Sequence, residues 1–111
     1  MKIENTKAQM RKGVLEYCIL LVLDGKPLYA SDIIDELKNS KMIVVEGTLY
    51  PLLTRLKNDG LLAYNWEEST QGPPRKYYEL TDEGKQFLEG LGGSWNELVD
   101  AVETIKSRKA V

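Results

Sequence analysis

The chain is 111 residues long, 42% hydrophobic and 29% charged, with a formal net charge of −2, a composition that fits one folded domain with a modest core and excludes a disordered chain. It has no histidine and a single cysteine, Cys18, so an intrachain disulfide is excluded, and with it go the commonest general base, the His-containing zinc sites and every Ser-His or Cys-His nucleophile. Neither an enzyme nor a cofactor is expected.

The opening MKIENTKAQMRKG is polar, and the longest apolar run, YCILLVL, is far short of the roughly 20 residues of a membrane span. A cytoplasmic protein with no membrane partner is therefore expected. Residues Lys7 to Leu23 read as a first helix, amphipathic and basic in its first half and apolar nearly all round in its second, where Cys18 is a buried structural thiol. Gly25 and Pro27 end it.

A short second helix follows in SDIIDELKNS, with Ser31 as its cap, Asp32 at the positive end of its dipole, and Ile33, Ile34 and Leu37 on one apolar face. Asp32, Asp35 and Glu36 read as a solvated face and not as a catalytic set. After a short link at Lys41 to Glu46, the third helix lies in EGTLYPLLTRLKNDG, where Leu49, Leu52, Leu53 and Leu56 form the inward stripe and Gly60 the stop. With Gly47 or Thr48 as N-cap, Pro51 falls in the first turn, where a missing N–H costs nothing.

LLAYNWEE and RKYYEL are strands of a hairpin, separated by STQGPP, a loop longer than the tight two-residue type. Leu62, Tyr64 and Trp66 share one face, as do Tyr78 and Leu80 on the return strand, while Arg75, Tyr77 and Glu79 lie opposite Lys76 and Tyr78. Thr81 caps a last, long helix in which Leu88, Leu91, Trp95, Leu98, Val102 and Ile105 are spaced 3, 4, 3, 4, 3. That is a heptad seam, and its cheapest partner is the same helix of a second copy; the alternative is packing on the chain's own core. Gly92 and Gly93 interrupt this helix beside Trp95, which fits close approach, a bend or free space.

The fold class expected is mainly α with a small β-hairpin: a winged helix-turn-helix over residues 1–80 and a C-terminal dimerisation helix over 81–111, packed with the first helix as one domain. In such a fold the third helix enters the major groove of double-stranded DNA. Its outward residues, Gly47, Pro51, Thr54 and Asn58, flanked by Thr48, Tyr50 and Arg55, are small or able to hydrogen-bond. Arg75 and Lys76 at the wing are then cations whose partner is phosphate. The charge distribution agrees better than the total does: residues 1–23 hold four cations against two acids, and residues 79–111 four against seven.

EGTLYPLLTRLKNDGLL and GPPRKYYELTDEG together resemble the PadR family of bacterial transcriptional regulators, in its short form with one C-terminal dimerisation helix. The resemblance covers almost the whole chain. It implies a homodimeric repressor on an inverted-repeat operator, with recognition by the helix carrying Thr48, Leu49, Tyr50 and Pro51 and help from Arg75, Lys76 and Tyr77. It also implies release by a small aromatic or hydrophobic effector, for which Trp95 is the matching residue. Two positions depart from the family pattern: Ala30 stands where a glycine is usual, and Pro73 where an arginine is common. The rival expectation is a winged-helix protein interaction module without DNA binding.

Overall fold

The computed structural model describes residues 2–69 and 72–108, without the side chain of Ser69. Thr70 and Gln71 of the expected loop, Met1, and residues 109–111 at the end of the expected last helix lie outside the described residues. The elements run α1 (Ile3–Val22), β1 (Leu28–Tyr29), α2 (Ala30–Asn39), α3 (Glu46–Asn58), β2 (Leu62–Ser69), β3 (Gly72–Leu80) and α4 (Asp82–Ser107). This is the helical, winged architecture expected, with a long terminal helix.

Helix α1 begins four residues before the expected Lys7, because nothing in IENT breaks a helix and Glu4 favours the positive end of the dipole. Its first half is exposed, whereas Leu15, Ile19 and Leu20 enter the core. Cys18 is half-buried there, and burial raises its thiol pKa, so the neutral form dominates at neutral pH. Helix α2 starts at Ala30, not after Ser31: Tyr29 is the N-cap, and its N–H donates to the Asp32 carboxylate at 3.2 Å.

The turn between α2 and α3 is less polar than its sequence reading, since Val44 is buried in the core and Met42 is packed against it. Lys41 closes α2 in the left-handed region, with φ 69°. The Met42 N–H donates to Leu37 and the Lys41 N–H to Lys38, the paired bonds of a Schellman ending. Helix α3 opens at Glu46 with Val45 as N-cap, so neither Gly47 nor Thr48 caps it. The Val45 carbonyl accepts from the N–H groups of Thr48 and Leu49, both at 3.0 Å, and no side chain contributes. Pro51 therefore sits in the second turn. Its missing N–H leaves the Gly47 carbonyl without the usual i+4 donor, at a face where both residues are exposed and solvent can reach it.

At the other end of α3, Gly60 has φ 82° and the Leu61 N–H donates back to Leu56 at 3.0 Å. The sheet has three strands in the order β1-β3-β2, all antiparallel. Strand β1, two residues long, was not foreseen; it pairs Leu28 with Tyr78 and Tyr29 with Tyr77. The hairpin also differs from expectation. Strand β3 runs through Pro73 and Pro74, and Ser69 pairs with Gly72 after a register shift from Glu67. Prolines are tolerated here because β1 reaches only Tyr77 and Tyr78, which leaves one side of β3 without a partner strand at Pro73 and Pro74.

Leucines of α1, α2 and α3 meet Leu62, Tyr78 and Leu80 of the sheet and Leu88 of α4 in one buried cluster. Thr81 caps α4, accepting from the Gly84 N–H at 2.9 Å, while its hydroxyl donates to the Gly60 carbonyl at 2.6 Å. The end of α3 and the start of α4 are thereby fastened together.

Candidate nucleic-acid interface

With Leu49, Leu53 and Leu56 buried, the 3.6-residue period turns Gly47, Pro51, Thr54 and Asn58 to the opposite side of α3, and all four are exposed, as are Thr48 and Tyr50. Arg55 differs: its guanidinium pairs with the Glu16 carboxylate of α1, on the flank of α3. Both side chains keep solvent access, so this pair is a surface ion pair of roughly 0–1 kcal/mol. Arg55 is thus directed toward α1 and away from the row of small residues.

The wing divides its cations between two faces. Lys76, opposite Trp66 in register, lies over the Tyr64 ring at 4.4 Å and the Trp66 ring at 5.2 Å. Arg75, on the other face, lies 5.1 Å from the centroid of Tyr29, whose ring stacks on Tyr77 at 3.8 Å. A hydrogen bond to Tyr29, reinforced by burial and by nearby acids, raises the Tyr77 pKa. Burial, with Tyr50 and Tyr64 nearby, raises that of Tyr78. Both phenols remain protonated donors at neutral pH.

These elements border an open cleft of about 460 Å³ that brings Tyr50 and Thr54 of α3 together with Arg75 and Lys76 of the wing. Tyr29 and Ser31, at the start of α2, close its third side. Gly47, Thr48, Pro51, Arg55 and Asn58 of α3, and Tyr77 of the wing, do not line this cleft. Sequence reasoning missed Tyr29 because the strand that places it is only two residues long. Among the described residues the cleft is lined by cations, hydroxyls and aromatic faces and by no carboxylate, a lining suited to a phosphodiester backbone.

Along α4 the heptad residues separate into two groups. Leu88 is buried in the chain's own core and Leu91 packs against it, whereas Trp95, Leu98, Val102 and Ile105 are exposed. Phe87 and Val99, outside the heptad, are exposed as well. The Trp95 ring lies 6.3 Å from that of Tyr17 on α1. A Cβ at Gly92 would lie 3.6 Å from the Tyr17 hydroxyl, while one at Gly93 would meet nothing within 4 Å. A side chain at 92 would therefore make only ordinary contact with Tyr17, and one at 93 would meet open space.

The sequence profile of the "Transcriptional regulator PadR-like family" matches residues 19–90. A PadR-like transcription factor from Bacteroides fragilis, known from an X-ray structure, is 66% identical over 91% of this chain and 98% of its own, with a TM-score of 0.78. A PadR family transcriptional regulator from Eggerthella lenta is 33% identical over 93% of this chain and 90% of its own, with a TM-score of 0.87. Bacillus subtilis PadR, solved in complex with operator DNA, is 30% identical over 70% of this chain and 46% of its own, with a TM-score of 0.65.

Proposed function

The chain belongs to the PadR-like family of transcriptional regulators, and from that premise we propose that it binds double-stranded operator DNA as a homodimer and represses transcription. The observation that carries this reading is the shared cleft: the Thr54 face of α3 and the Arg75–Lys76 edge of the wing open on one carboxylate-free hollow. Groove recognition falls to Gly47, Thr48, Tyr50, Pro51, Thr54 and Asn58, and backbone contact to Arg75, Lys76 and Tyr77. Arg55 joins them only by leaving Glu16. The bare distal face of α4 supports a two-fold partner, and a two-fold protein reads an inverted repeat.

Fluorescence anisotropy of labelled DNA from upstream of the protein's own gene, at several salt concentrations beside a scrambled duplex, tests the reading. Tight binding that prefers the native fragment and weakens steeply with salt is expected. Replacing both wing cations, Arg75→Glu with Lys76→Glu, removes four phosphate contacts per dimer and flattens the slope of log K against log salt by about 3 to 4. Unchanged affinity in this variant excludes the wing as a DNA contact.

Repression ends, in this proposal, when a planar apolar compound lodges beside Trp95, where Tyr17 supplies a second ring and Gly93 the space. In a Trp66→Phe background, which silences the other indole, such a compound quenches Trp95 emission and raises the apparent Kd for DNA. A panel of planar aromatics that leaves both readouts unmoved rules the effector out.

A further inference from the structure

Lys57, in the last turn of α3, and Lys76, on β3, approach the same aromatic ring: their ammonium nitrogens lie 5.6 Å and 4.4 Å from the centroid of Tyr64. Each such contact attracts the ammonium to the electron-rich ring face. It also brings two like charges together, and among the described residues neither ammonium has a carboxylate within ion-pairing distance. Two cations held on one ring without a counter-charge repel each other unless an anion joins them.

Beneath them is a cavity of about 120 Å³ lined by Thr54, Lys57, Asn58, Tyr64, Lys76 and Tyr78. All six side chains carry a hydrogen-bond donor, and none is acidic. The volume is enough for one phosphoryl group and well below the roughly 300 Å³ at which drug-sized pockets begin.

We propose that this cavity is a phosphate-binding site, with Lys57 and Lys76 as its cationic jaws, and that its occupant is one backbone phosphodiester of the bound DNA. The assignment of the occupant rests on the DNA-binding reading above; the chemistry of the site does not. Thr54 lines both this cavity and the larger cleft, so a strand following α3 toward the wing passes over the two in succession. Lys57 therefore joins the interface as a contact blind to base sequence. Tyr64 is a positioning residue whose ring both ammonium groups approach.

The test is Lys57→Gln, at an exposed position where folding is unaffected. Affinity for operator and scrambled DNA falls by a similar factor, about tenfold, and the salt slope flattens by about 2 per dimer, one contact from each subunit. If the parent binds operator and the variant matches it in affinity and slope, the proposal is overturned. A second arm needs no DNA: inorganic phosphate is titrated against chloride at equal ionic strength while the Tyr64 and lysine side-chain resonances are followed by NMR. Should the parent bind no DNA, a saturable shift lost in Lys57→Gln keeps the phosphate site and assigns it to a free phosphorylated compound. No shift in that case overturns it.

Discussion

Replacing Gly84 by alanine is expected to lower the melting temperature by about 10–20 °C, because among the described glycines its Cβ alone would run into backbone. A Cβ built on Gly84 would stand 2.1 Å from the Leu61 carbonyl oxygen and 3.1 Å from its carbon, and these are backbone atoms. The carbonyl cannot retreat freely. It accepts from the Thr81 N–H at 3.1 Å, with the Thr81 hydroxyl, which donates chiefly to Gly60, at the same distance, and the Leu61 N–H closes the turn after α3. Overpacking of this kind costs about 1–3 kcal/mol, here at the upper end because no flexible side chain absorbs it, and about 4–8 °C is lost per kcal/mol in a domain of this size. Gly90→Ala is the control: it lies on the same helix, meets nothing within 4 Å, and should gain about 1 kcal/mol from helix propensity alone. Melting curves by circular dichroism at one fixed protein concentration decide the matter. A Gly84→Ala protein that melts with the parent would mean that α4 does not seat against Leu61.

The second large effect is expected from Leu98→Glu with Val102→Glu. Both side chains are about half exposed in the single chain, 56% and 47%, so the fold tolerates the change, while a helix already carrying Glu97, Asp100 and Glu103 acquires charge along its apolar seam. Sedimentation velocity should report a monomer. Operator affinity should fall by a hundredfold or more, about the advantage that linking two half-site readers provides. A variant that stays dimeric would exclude the distal α4 face as the interface, and a monomer that keeps full affinity would exclude two-fold recognition of DNA.

The helices and their inward faces were legible because their signals are chemical and periodic: the leucine stripe of α3, the Thr81 cap and the glycine stop at Gly60 all act where the sequence places them. What escaped depends on backbone or on distant pairing. The start of α3 is held by the Val45 carbonyl, and no capping side chain marks it, so Pro51 was assigned to the wrong turn. Pro73 and Pro74 read as strand breakers, yet a strand without a neighbour on one side accommodates them. Arg55 flanks the outward row in sequence and structure alike, but its pairing with Glu16 escapes the sequence, because that partner is thirty-nine positions away on another helix. Gly84 carried no signal at all. Nothing local distinguishes it from Gly90; only the Leu61 carbonyl pressed against it does.

That fastening between α3 and α4 has a mechanical consequence. Gly60, Leu61, Thr81 and Gly84 leave no clearance at the corner, and α4, with 26 residues, extends about 39 Å beyond it. The corner therefore acts as a fixed pivot: one degree of tilt of a straight α4 about it corresponds to a displacement of about 0.7 Å at the distal end. A tilt of the first turns of α4 is thus passed on to the end of α3, while Gly90, Gly92 and Gly93 lie farther along the helix, beyond that corner.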